Sequence, residues 1–241
     1  MLHGRTAIVT LALALLLAAC GQAPSAGGLL PALPAGIDPT LAEPTCVVSG
    51  RTFDADVTIP ADTVCVFTDV PVEGNLAVGP RARLQLVESE VDGNLLVYPD
   101  AIVIVQASLV QGNLQAERSG DVTVESATVI DGDVQVERGR GSVRVEESRV
   151  LGNVQVDATA GPVSVLASFV DGDVQAEANV ARVGVSDNTV EGNVQLEANR
   201  GGIEVYTNVI DGNLQCESNT PPLAGGGNVV GGDKEGQCSA F

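Results

Sequence analysis

From about residue 46 onward, apolar and polar residues alternate in short runs. After Gly192 the chain reads Asn193, Val194, Gln195, Leu196, Glu197, so that Val194 and Leu196 share one face and Gln195 and Glu197 the other. A period of two is that of a strand with one buried face. A second run, Ile203 to Tyr206, turns Ile203 and Val205 inward, and a third apolar point recurs two residues before successive glycines, as Val170, Val190 and Ile210. Those glycines stand at 74, 93, 112, 132, 152, 172, 192 and 212, with a degenerate ninth at Gly232; the spacing is 19 twice and then 20. A fixed period near twenty marks stacked units, each of which buries its apolar face only against its neighbours. Three short extended pieces per repeat and no helical run predict an all-β fold. The expected form is a single-stranded parallel β-helix of about 8–9 coils over residues 46–241. Leucine-rich repeats of similar length need a leucine spacing and an asparagine context that these coils lack.

Stacking turns sequence positions into columns, with neighbours about 4.8 Å apart along the axis. The residue after each glycine reads Asn75, Asn94, Asn113, Asp133, Asn153, Asp173, Asn193, Asn213. Such side chains hydrogen-bond local backbone or each other, which predicts a structural ladder at a turn. Four residues before the glycine lies a second polar column, Ser89, Ser108, Thr128, Ser148, Ser168, Asn188 and Asn208, read as another corner. At about 0.5–1.5 kcal/mol net per bond, these ladders add less than the stacked Val, Leu and Ile. Asp131 with Asp133, and Asp171 with Asp173, flank glycines as turn residues; the second periodic glycine and aspartate of calcium-binding nonapeptides are missing.

The outward side of the first strand carries two further columns: Gln115, Gln135, Gln155, Gln175, Gln195, Gln215 and, two residues on, Glu117, Glu137, Asp157, Glu177, Glu197, Glu217. At 4 Å, two like charges repel by about 1 kcal/mol in bulk water and about 4 at an effective dielectric of 20. The aligned acids therefore invite either a cation or local pairing with Arg118 and Arg138. Ca²⁺, which takes hard oxygen ligands, is the candidate ion, with glutamine carbonyls completing its shell. The plainer reading is a solvated face kept in register by polar ladders.

Composition narrows the setting. An apolar run from Thr6 to Leu17 follows Arg5 and ends in Leu17-Ala18-Ala19-Cys20. Its length suits a secretion signal, since a membrane span needs about twenty residues. The "LAAC" end resembles a bacterial lipobox, in which Cys20 is lipidated and becomes the first mature residue, so that residues 1–19 are removed. Gly21 and Gln22 lack the aspartate associated with inner-membrane retention, and the expected location is the outer membrane or cell surface. Residues 20–45, rich in Pro, Ala and Gly, show no period and read as a tether. The formal charge is −19, and removing Arg5 leaves 31 acidic residues against 11 of the 12 basic ones. Such a surface excludes nucleic acid, whose recognition needs Lys and Arg on phosphates.

Catalytic signals are sparse. Cleavage removes the only histidine, His3, and Lys234 is the sole lysine, so histidine triads, zinc–histidine sites and lysine nucleophiles are excluded. A polysaccharide lyase would need an Arg or Lys base beside Ca²⁺-binding acids, a role open in principle to Arg144 or Arg182, but no insertion long enough to build a cleft interrupts the coils. Four cysteines remain, at spacings of 19 and 22 that approximate one coil. Cys46–Cys65 and Cys216–Cys238 are the expected pairs, each pinning a terminal coil in an oxidising compartment.

The Val/Ile-x-Gly-Asn/Asp-Val/Leu unit resembles the repeat of bactofilin-type β-helices. Residues 211–238, "DGNLQCESNTPPLAGGGNVVGGDKEGQC", are similar to the endings of uncharacterised secreted bacterial repeat proteins. The resemblance covers about residues 65–238 and implies a right-handed, aromatic-poor β-helix with no catalytic residues to carry over. Bactofilins are cytoplasmic polymer-formers, from which the signal, tether and paired terminal cysteines depart. The expected function is a non-catalytic, lipid-anchored envelope scaffold contacting an envelope polysaccharide or surface protein through its Gln and acidic ladders. The alternative is a polysaccharide-binding or polysaccharide-active protein, calcium-dependent through those ladders.

Overall fold

A computed structural model describes residues 43–241. Within them the chain winds as a β-solenoid of about ten turns, built from three parallel sheets and containing no helix. One turn illustrates the plan: Val143–Glu146 lies on a face we call A, Arg149–Val150 on a narrow face B, and Val154–Asp157 on face C. Faces A and C each have ten strands and face B nine, and every strand pairs with the equivalent strand one coil along. The register is one to one, so Val143 faces Val163, Val150 faces Val170 and Gln155 faces Gln175. Alternation puts Val143, Val145, Val150, Val154 and Val156 inside, and the axis is filled by stacked aliphatic residues that are almost wholly buried.

The count of turns exceeds the glycine count because the first turn has Ala55 where later turns have glycine. The glycines are needed for close approach and not for an unusual φ. A Cβ on Gly112 would lie 2.7 Å from the Gly93 carbonyl oxygen and 2.8 Å from Asn94 Oδ1, both one coil below. Among the described residues no coil lies beneath Ala55, which precedes the end strand of face C. The Asn/Asp ladder explains the crowding, because each side chain reaches up one coil to accept a backbone N–H. Asn94 N–H donates to Asn75 Oδ1 at 2.9 Å and Asn153 N–H to Asp133 Oδ1 at 2.7 Å, and the series runs from Asp56 to Asp233.

Left-handed residues sit at the other two corners, where the chain bends after faces A and C. They are mostly not glycine: Glu147, Ala167 and Asp187 after face A, and Arg138, Ala158 and Ala178 after face C, all have φ between 47° and 58°. An amide or hydroxyl ladder tucked inside each corner offsets this strain. After face A the expected Ser/Asn column is present and buried. The Ser168 N–H donates to Asn188 Oδ1 at 2.9 Å, and Asn188 Nδ2 donates to the Val165 carbonyl at 2.8 Å. After face C runs a third ladder that sequence reading missed: Asn179, Asn199 and Asn219, each 0–4 % exposed. The Asn179 N–H donates to Asn199 Oδ1 at 3.1 Å, and Asn199 Nδ2 donates to the Ala176 carbonyl at 2.9 Å. In these two inner ladders the acceptor lies one coil further along the chain, opposite to the Asn/Asp ladder beside the glycines.

Both expected disulfides are present. Cys46 and Cys65 are register partners on face A, with Cα atoms 4.5 Å apart, and Cys216 joins Cys238 with Cα atoms 5.3 Å apart. Each ties a terminal coil to its neighbour at the ends where fraying would begin. At the far end the Phe241 ring lies against Gly225.

Candidate contact surface on face C

The outward side of face C is where the glutamine and acidic columns fall, and the structure brings both into register. Parallel pairing without slip places Gln115, Gln135, Gln155, Gln175, Gln195 and Gln215 directly above one another. Each amide Nε2 donates to the next Oε1, at 3.3, 3.2, 3.2, 3.0 and 2.9 Å, and Gln215 ends the run on Glu235 Oε2 at 3.0 Å. The side chains are thus held in one orientation, presenting a row of amide edges along six coils. Gln135 and Gln175 also reach Asp133 and Asp173, at 3.5 and 3.4 Å.

Beside this row stand Glu117, Glu137, Asp157, Glu177, Glu197 and Glu217, all exposed. The arginines anticipated as local partners do pair: Arg138 Nη2 lies 3.0 Å from Glu117 and 3.3 Å from Glu137, and Arg118 Nε 3.7 Å from Glu117. Further along, the column has no arginine beside it in sequence. There Asp157 has its pKa raised, first by burial and then by the Glu177 and Glu137 carboxylates. Solvent screens the repulsion along this exposed stack.

A calcium site finds little support in this geometry. Among the described residues no three acidic, histidine or cysteine side chains converge to hold a metal ion. The aligned acids stand side by side at strand spacing, and each glutamine carbonyl from Gln135 to Gln215 already accepts the amide below it. Arg144 and Arg182, the arginines with a conceivable lyase role, are held elsewhere. Arg144 pairs with Glu146 at 3.2 Å and Arg182 with Glu204 at 3.0 Å, so both belong to face A or its approach. Cys20 lies outside the described residues.

Where the glutamine row begins, face C has a step. The column continues downward as Leu96, Ala77 and Thr58, and the strand shortens from four residues to three. A shallow cleft of about 390 Å³ opens there, with Leu96, Tyr98 and Pro99 on one side and Gln115, Glu117 and Arg118 on the other.

The fold and this surface define a parallel β-solenoid with a laddered polar face. No family model, curated protein or solved structure matches the chain.

Proposed function

We propose that the protein is a non-catalytic envelope scaffold, anchored by a lipid on Cys20, that meets its partner through face C. The observation that carries this reading is the unbroken glutamine row. Five side-chain bonds between successive glutamines fix the orientation of these outward amides, half-buried beyond Gln115, before any partner arrives. Binding to such a surface loses little side-chain entropy, which is how rigid surfaces gain affinity. The stacked coils extend for about 45 Å at strand spacing, enough to engage a repeating polymer or an extended protein edge. An envelope polysaccharide or a surface protein fits the row of amide donors and acceptors, and the exposed carboxylates disfavour anionic polymers. Metabolic labelling with a lipid analogue tests the anchor: wild-type protein takes up label and fractionates with the outer membrane, whereas Cys20→Ser does neither. Absence of lipid on the wild-type chain overturns the anchored reading. The step at Tyr98 supports a second reading, in which a polysaccharide is bound or cut at that cleft; release of unsaturated sugars by the mature protein would establish it.

A further inference from the structure

The glutamine row has a loose end at the step on face C. Gln115 Nε2 donates upward to Gln135 Oε1 at 3.3 Å, but the residue directly beneath Gln115 is Leu96. Among the described residues no amide therefore lies below to fill Gln115 Oε1, and Gln115 is the exposed member of the row. The acidic column ends at the same level. Tyr98 follows Val97, whose register partner is Ala116, and so takes the place one coil below Glu117. One coil lower again that place belongs to Gly79, where a Cβ would lie 2.7 Å from the Ile59 carbonyl oxygen. Gly79 puts no side chain beneath Tyr98, which is 46 % exposed and, among the described residues, the only aromatic on the outward side of face C.

Charge around this cleft also differs from the rest of the surface. Asp100 pairs with Arg140 at 2.7 Å, and Arg138 pairs with Glu117 at 3.0 Å and Glu137 at 3.3 Å, while Arg118 lies 3.7 Å from Glu117. Three acids thus meet three arginines, on a chain whose formal charge is −19. A site of balanced charge attracts neither anions nor cations, and its paired donors and acceptors suit a neutral ligand rich in hydroxyls. Strands Leu95–Val97 and Leu114–Glu117 are paired on both sides within face C, so the cleft has no sheet edge to which a polypeptide strand could add.

We propose that the cleft seats one neutral pyranose unit of a polysaccharide, with the apolar face of the sugar against Tyr98 and Leu96 and a sugar hydroxyl donating to Gln115 Oε1. This rests on the reading of face C as the contact surface, and it narrows the ligand there from any polymer to an uncharged glycan. The C–H groups on one face of a pyranose carry the positive partial charge that the negative face of an aromatic ring attracts. Arg118 and Glu117, on the opposite wall, supply a donor and an acceptor for further hydroxyls. The volume of about 390 Å³ lies at the small end of ligand sites, which suits one sugar unit with the rest of the polymer running along face C.

The test takes the mature protein with Tyr206→Phe, which leaves Tyr98 the sole tyrosine in a chain without tryptophan. Neutral trisaccharides of glucose, mannose and N-acetylglucosamine, and one of galacturonic acid as the anionic control, are titrated while the Tyr98 ring resonances are followed by NMR. At least one neutral sugar should shift them, and the galacturonate should bind at least about tenfold more weakly because of the acids along face C. By calorimetry, Tyr98→Ala and Gln115→Leu should each weaken the neutral sugar about tenfold, whereas Tyr98→Phe should stay within about twofold. Gln155→Ala/Gln195→Ala, further up the face, should leave trisaccharide binding unchanged, so that the cleft and the row fail separately. No shift with any neutral sugar, equal binding of the galacturonate, or full affinity in Tyr98→Ala would overturn the proposal. In each of those cases, a polymer that the wild type retains and Gln155→Ala/Gln195→Ala loses would still uphold face C as the contact surface.

Discussion

The lower three coils and the upper coils solve the same corner with different physics. Below, the turn from face C to face A is set by Pro60, Pro80 and Pro99, and it closes on the small, fully buried Ala82 and Ala101. Proline fixes φ in advance, and alanine leaves no polar group to satisfy. Above, the corner buries Asn179, Asn199 and Asn219, whose amides bond both the next coil and the strand carbonyls beneath. The lower solution asks little of its neighbours, whereas the upper one depends on an unbroken stack. The same division marks the outward column of face C, which is Thr58, Ala77 and Leu96 below and the glutamine row above.

The largest expected effect falls on the upper ladder. Asn199→Ala removes the acceptor of the Asn179 N–H and a donor to the Ala176 carbonyl. With about 1–3 kcal/mol for each buried group left unpaired, it should cost about 4 kcal/mol in denaturant unfolding. Ala101→Gly in the lower corner should cost about 1 kcal/mol or less. Similar losses for the two would abolish the distinction.

Next comes the glycine column. Gly152→Ala would put its Cβ 2.7 Å from the Gly132 carbonyl oxygen, and overpacking of this kind costs about 1–3 kcal/mol. Ala55→Gly, with no coil beneath among the described residues, should change stability by under about 1 kcal/mol. Thermal melts of both variants check the pair.

A gain is expected where the upper ladder is incomplete. Ser119, Gly139 and Thr159 precede Asn179 in its column, and the buried Ser119 and Thr159 hydroxyls have no hydrogen-bond partner. Thr159→Asn extends the amide ladder by one coil and should stabilise by about 1–2 kcal/mol. Unchanged or lower stability would show that the ladder is not self-propagating.

The smallest effect is electrostatic. Because folding raises the Asp157 pKa, its charged form disfavours the folded state at neutral pH, and that penalty fades as pH falls through the raised value. Asp157→Asn should therefore stabilise at pH 7, by under about 1 kcal/mol given solvent screening. The advantage should vanish below the ordinary carboxylate range. A gain that persists in acid would place its origin elsewhere.

Much of this architecture was legible in the sequence because a stacked coil writes its contacts at a fixed spacing. Alternation gave the strands, the post-glycine column gave one ladder, and the cysteine spacings gave both disulfides. What stayed hidden was written irregularly. The Asn179 column begins as serine, glycine and threonine, so its role shows only where the amides bond. The constant spacing of 20 conceals two different insertions: the first extra residue sits at the corner Ser126–Ala127, where both residues are left-handed, and later ones enter between faces C and A.

If the glutamine row on face C is the contact surface, binding to purified envelope polysaccharides and surface proteins depends on it. The mature protein should retain one such partner. Gln155→Ala/Gln195→Ala, which interrupts the row at two coils, should weaken retention at least about tenfold, a loss of about 1.4 kcal/mol. Ser164→Ala on face A should leave it unchanged. Equal retention by all three proteins, or loss on substituting face A alone, would contradict the claim.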